Sequence, residues 1–137
     1  MKPIPRRSTN QPVRVLVIDD DDITRETMLD LLACAGYEVF SLPSPIGATQ
    51  RLLQDSIDVV VLDILMPSLR GDKLAVLLRK HPRLQHLGVI LVSGASPAQL
   101  QRLAAEVSAN AILEKADLDT KLVAAVQRAA EKGALHS

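Results

Sequence analysis

The stretch VVVLDILMPSLRG, Val59 to Gly71, decides the fold. Four aliphatic residues, enough for a buried strand, end on a carboxylate, Asp63, before Pro67 and Gly71 close the segment. A lone buried carboxylate costs several kcal/mol unless it is paired or bound to a cation. A strand that ends this way therefore predicts a partner for Asp63 elsewhere in the chain.

Working outward, similar apolar runs occur at 13–18 (VRVLVI), 56–64 (SIDVVVLDI), 88–93 (GVILVS) and 110–114 (NAILE), with a more alternating one at 37–42 (YEVFSL). Near-continuous Val, Ile and Leu predict parallel strands covered on both faces. Helical spacing fills the gaps. Met28, Leu31, Leu32 and Ala35 follow the four-Asp run, and Gly36 supplies a stop. Ser44 and Pro45 are placed to open a second helix, which Gly47 weakens. GDKLAVLLRK puts Leu74, Leu77 and Leu78 on one face. SPAQLQRLAAEV carries a capping box, Ser96 to Gln99, and a stripe of Leu100, Leu103, Ala104 and Val107. The last helix begins near Asp117 and buries Leu118, Leu122, Ala125, Val126 and Ala129. The order is (βα)5, a doubly wound α/β fold.

With 137 residues the chain fits one domain, read as a flexible leader over 1–12, a folded unit over 13–131 and a tail over 132–137. Sixteen basic residues balance 16 acidic ones, which gives no electrostatic footprint for nucleic acid. Nothing approaches the roughly 18 apolar residues of a membrane span, and the leader lacks the apolar segment of a signal peptide. A cytoplasmic protein is expected. The single Cys34 excludes an internal disulfide and is read as core packing.

In an open parallel sheet the carboxyl ends of the strands form the ligand rim. Here those ends carry Asp19 and Asp20, then Asp63, then Ser93, then Lys115. Clustered carboxylates repel one another unless a cation neutralises them, and hard oxygen donors suit Mg²⁺. A carboxylate beside Mg²⁺ can also act as a nucleophile toward a phosphoryl group.

These residues closely match a known pattern: the chain resembles the receiver domain of two-component response regulators. VLVIDDDDITRE is similar to that family's first strand and acid pair, and VVVLDILMPSLRG to its phosphoacceptor segment. Thirty positions separate Asp63 from Ser93 and 22 separate Ser93 from Lys115, as in the family. The resemblance implies a five-stranded parallel sheet in the order 2-1-3-4-5, with Asp63 as phosphoacceptor. It implies Mg²⁺ held by Asp20, by Asp19 through water, by Asp63 and by the Leu65 carbonyl. Ser93 would donate to a phosphoryl oxygen and act in the switch, and Lys115 would pair with the phosphate. A histidine kinase or phosphotransfer protein would supply the phosphoryl group, and a partner protein or attached domain would take the output. On this reading the chain is not an enzyme beyond its own phosphorylation and dephosphorylation, and it binds neither nucleic acid nor membrane.

Three positions depart from the family. Ile112 stands where an aromatic switch residue is usual. Ala116 follows Lys115 where a cis proline is usual; a non-proline cis bond costs about 3–4 kcal/mol, so a trans bond with an altered loop, or a strained one, is expected. Leu65 places an apolar side chain two positions after Asp63. Ile112 and Ala116 leave room for a receiver-like docking module that works without phosphate. DDDIT, Asp20 to Thr24, also fits the short nucleophile pattern of haloacid-dehalogenase-like phosphatases, but that reading gives Asp63 no role.

Overall fold

The computed structural model describes residues 11–66, 69–94, 101, 102, 105 and 108–135. Five strands form one parallel sheet: β1 (Arg14–Ile18), β2 (Glu38–Leu42), β3 (Val59–Asp63), β4 (Gly88–Ser93) and β5 (Ala111–Glu114), in the order β2-β1-β3-β4-β5. Among the elements described in full, four helices lie across it: α1 (Asp22–Cys34), α2 (Ala48–Gln54), α3 (Gly71–Arg79) and α4 (Leu118–Leu135). The expected doubly wound fold and strand order are both found. No helix among the described residues is long and apolar enough to cross a membrane.

Strand periodicity explains the continuous apolar runs. Successive side chains point to opposite faces, and both faces here are covered. Leu16, Ile18, Val60, Leu62, Val89 and Leu91 pack with Ala48, Leu52, Leu74, Ala75 and Leu78 of α2 and α3. The alternate set, Val15, Val17, Val59, Val61, Ile90 and Val92, packs with Met28 and Leu32 of α1 and Leu118, Leu122, Ala125, Val126 and Ala129 of α4. Every residue of β3 and β4 is buried, as suits central strands, whereas β2 at the edge is half-buried throughout.

Several expectations from helical spacing need correction. Cys34 is exposed rather than in the core, because it sits two positions past the buried Leu32 and turns to the opposite side of α1. Ala35 is likewise exposed, where the chain leaves the helix before Gly36 at φ +94°. Ser44 does not cap α2: the helix starts after Gly47, whose φ of +81° is open to glycine, and the Ser44 hydroxyl instead accepts from Ile46 N–H at 3.3 Å. Leu77 is 57% exposed, and Ala75 takes its place beside Leu74 and Leu78. The strand expected over 56–64 contracts to Val59–Asp63. The leader over 1–10, the Ser96–Gln99 capping box and the stripe positions 100, 103, 104 and 107 lie outside the described residues.

Candidate functional site

Strand parity assembles the site. Val17, Val61 and Leu113 all point into the cluster beneath α1 and α4, and Asp19, Asp63 and Lys115 each follow two positions later. The same side of the sheet thus receives two carboxylates and an ammonium at or just beyond three strand ends. Asp19 and Asp63 are buried, the latter 2% exposed, while Asp20 is open to solvent. One oxygen from each of Asp19, Asp20 and Asp63 lies within 4.8 Å of the others. Lys115 Nζ stands 3.7 Å from Asp63 Oδ2 and 4.0 Å from Asp19 Oδ2. Ser93, fully buried, ends β4 opposite Glu114 of β5.

Local bonds hold these groups. Asp19 Oδ1 accepts from Asp21 N–H at 2.8 Å, and Asp63 Oδ1 accepts from Leu65 N–H at 3.3 Å. Asp21 caps α1 by accepting from Thr24 N–H at 3.0 Å, which with the Thr24 hydroxyl holds its carboxyl below the usual carboxylate range. Sequence reasoning missed Arg25, whose Nη1 donates to the Asp19 carbonyl at 2.7 Å while Nη2 pairs with Asp22. That pairing turns Asp22 toward Arg25, and Asp22 is absent from the group of converging carboxylates, which weakens the phosphatase pattern of Asp20 and Asp22. It also missed why Gly71 closes the motif: Gly71 N–H donates to the Ile64 carbonyl at 2.9 Å, bringing its backbone against the end of β3.

The electrostatics leave a deficit of positive charge. Burial, then the neighbouring Asp19 carboxylate, pushes the Asp63 carboxyl up to about 6, against the opposing pull of Lys115 and Leu65 N–H. Burial likewise raises Asp19. Asp19 Oδ2 is buried and accepts no hydrogen bond among the described residues. Among the described residues one ammonium therefore faces three carboxylates, and a buried carboxylate oxygen has no donor.

That donor set fits a hard divalent cation. Three carboxylates that converge within 4.8 Å of one another offer the hard oxygen donors that Mg²⁺ takes, and they would hold such an ion. Leu65 follows at the rim, 58% exposed. Ile112 is half-buried and packs on the cluster beneath α2 and α3. The Lys115–Ala116 bond is trans, one of the two outcomes expected without proline, and Lys115–Asp117 forms a 3₁₀ turn leading into α4.

Comparison with known proteins agrees with this geometry. The sequence profile of the response regulator receiver domain matches residues 15–127. A gliding motility regulatory protein of Myxococcus xanthus is 27% identical over 90% of this chain, which spans 16% of that protein. The transcriptional regulatory protein GltR of Pseudomonas aeruginosa is 26% identical over 82% of this chain, which spans 47% of it. The chain thus corresponds to less than half the length of either relative. The crystal structure of a response regulator receiver domain protein from Clostridium thermocellum superimposes with a TM-score of 0.81 at 28% identity, covering 91% of this chain and 99% of that one. With the profile, the strand order and the acidic rim in agreement, the chain belongs to the response regulator receiver domain family.

Proposed function

We propose that Asp63 is a phosphoacceptor and that its phosphorylation, supported by Mg²⁺, switches protein contacts of this receiver domain. The observation that carries this reading is the buried Asp63 carboxylate beside Lys115, with Asp19 Oδ2 left without a hydrogen-bond donor. An Asp63 oxygen attacks phosphorus, the bond from phosphorus to the donor's imidazole nitrogen breaks, and that nitrogen retains the electron pair and takes up a proton. A histidine kinase or phosphotransfer protein has the donor chemistry this step requires.

Asp19, Asp20, Asp63 and the Leu65 carbonyl are the groups that would hold Mg²⁺, which supplies positive charge against the carboxylates and the phosphoryl oxygens. Lys115, reaching both Asp19 and Asp63, balances the charge that the incoming group adds. Ser93, at the end of β4, supplies a hydroxyl donor. Leu65 N–H already donates to Asp63 Oδ1 and keeps the carboxylate turned. The phosphorylated state would act on partners through β5 and its exit, where Ile112 takes the place of a ring.

Titration with beryllofluoride, an inert phosphate mimic, tests this reading. In Mg²⁺ it is expected to shift the amide resonances of Asp63, Ser93 and Lys115 in the native chain and to leave Asp63→Asn unchanged. A native spectrum that stays unchanged at saturation favours instead the docking module that works without phosphate, for which packed Ile112 is the supporting observation.

Leu65 supplies a kinetic prediction. Its apolar side chain is exposed at the rim, two positions after the acceptor, and is expected to limit the approach of water to a phosphoryl group there. Leu65→Asn is expected to shorten the lifetime of the acyl phosphate by roughly severalfold, since it replaces an apolar screen with a group that orients water. Loss of label from phosphorylated protein over time reads this directly, and equal rates in the two proteins would remove Leu65 from the account.

A further inference from the structure

Lys115 stands at the exit of β5, a four-residue edge strand paired only with β4. What holds this strand in place lies at the opposite rim of the sheet. Arg79, the last residue of α3, donates from Nη1 to the Leu87 carbonyl at 2.6 Å. Its Nη2 donates to the Ser108 carbonyl and to Asn110 Oδ1, each at 3.0 Å. Asn110 is itself pinned to β4: its N–H donates to the Val89 carbonyl at 2.8 Å, and its Oδ1 accepts from Val89 N–H at 2.8 Å. One guanidinium thus joins the end of α3, the residue before β4 and the turn before β5. That turn contains Ser108 at φ +54°, an uncommon conformation for a residue with a Cβ.

This arrangement is costly. Among the described residues no carboxylate pairs with Arg79, and its Nε is buried without a partner. Burial holds the guanidinium below its usual pKa. A cation set against neutral carbonyls in this way contributes geometric constraint, since its planar fork fixes three acceptors at once.

We infer that Arg79 is a positioning residue for the acidic site: by clamping Ser108 and Asn110 to the segment before β4, it fixes the entry of β5 and so sets where Lys115 stands at its exit. The consequence for phosphate rests on the function proposed above. A strand advances about 3.3 Å per residue, so loosening the entry of β5 lets Lys115 shift on the scale of its 3.7 and 4.0 Å contacts and leaves its ammonium less firmly placed. Asp19, Asp20 and Asp63 sit on or beside other strands and do not depend on this clamp. Arg79 therefore separates two affinities: that for the metal, set by the aspartates, and that for the phosphoryl group, set in part by Lys115.

The test uses Arg79→Met and the conservative Arg79→Lys in the full chain. In Arg79→Met, amide exchange at Ala111–Glu114 is expected to accelerate by about tenfold or more while β1 and β3 exchange as before. Beryllofluoride affinity is expected to fall roughly tenfold to a hundredfold, with Mg²⁺ affinity changed by less than about twofold. Arg79→Lys, which keeps three donors and loses the fork, is expected to recover part of both, and it carries the test if Arg79→Met does not fold. Native exchange and native mimic affinity in the Met variant would overturn the inference. So would faster exchange in every strand with equal losses of Mg²⁺ and mimic, which marks a merely structural residue. If the native chain binds no mimic, the proposed function fails, and exchange at 111–114 alone decides whether Arg79 holds β5.

Discussion

Gly71→Ala is expected to cost about 3 kcal/mol or more of folding stability and to disturb the acidic site at the same time. A Cβ on residue 71 would meet the Asp63 carbonyl oxygen at 2.2 Å, its carbonyl carbon at 2.8 Å and Ile64 Cα at 3.1 Å. These are backbone atoms, so no rotamer change relieves the clash. Either the Gly71 N–H bond to Ile64 breaks, or the end of β3 moves and takes Asp63 with it. Urea denaturation reads the first effect. Mg²⁺ titration reads the second, with an expected loss of roughly tenfold or more from a displacement on the order of an ångström. A variant with native stability and native Mg²⁺ affinity would show that this close approach is not needed. The cause here is steric and distinct from the backbone freedom that opens α2 at Gly47.

Asp63→Asn is expected to stabilise the protein at neutral pH in the absence of divalent cations. The native carboxyl titrates at about 6, against an ordinary value of 3.8. A raised carboxyl binds its proton more tightly in the folded state, so its contribution is fully favourable below about pH 4 and is lost as pH rises through 6. At pH 7.5 the native protein bears that cost, and the neutral asparagine does not. The expected gain is roughly 3 kcal/mol, a shift that already contains the attraction to Lys115 which the variant gives up. Denaturation midpoints from pH 4 to pH 8 in the presence of a chelator should therefore diverge between the two proteins as pH rises and meet at the acid end. Parallel curves would mean that Asp63 bears no such burden. Added Mg²⁺ should then stabilise the native chain far more than the variant, because only the native chain presents all three carboxylates.

How much of this was legible in the sequence depends on the kind of contact involved. Strands β1, β3, β4 and β5 were readable because both faces are covered, which leaves long aliphatic runs with few polar interruptions. The acidic site was readable for a related reason: Asp19, Asp63 and Lys115 each follow such a run, and the parity of Val17, Val61 and Leu113 carries them to one side. Helical faces were less reliable. Cys34 and Leu77 are apolar and close to the buried stripe, yet the helix turns both outward, since the stripe is narrower than the apolar content of α1 and α3. Ser44 had the right chemistry for a cap, but the chain reaches helical geometry only after Gly47. Arg79 gave no signal at all. Its acceptors are two backbone carbonyls and an amide, 8, 29 and 31 positions away, and nothing in the residue types at those distances announces the contact.

The departures at Ile112 and Ala116 leave the acidic rim whole. Lys115 still reaches Asp63, and a trans bond leads through the Lys115–Asp117 turn into α4. A half-buried Ile112 set against the α2 and α3 side couples β5 to the core by packing alone, without a ring to swing. Any signal from Asp63 would then travel as a shift of β5 between its two anchors, Arg79 with Asn110 at the entry and Lys115 at the exit.

The central claim, that Asp63 accepts a phosphoryl group, is tested most directly by intact mass after incubation with Mg²⁺ and acetyl phosphate. One added phosphoryl group is expected on the native chain, none on Asp63→Asn, and none on the native chain when a chelator replaces Mg²⁺. A phosphoryl group that persists on Asp63→Asn would contradict the assignment of Asp63. A native chain that gains no mass and also ignores beryllofluoride with Mg²⁺ would contradict the switch itself.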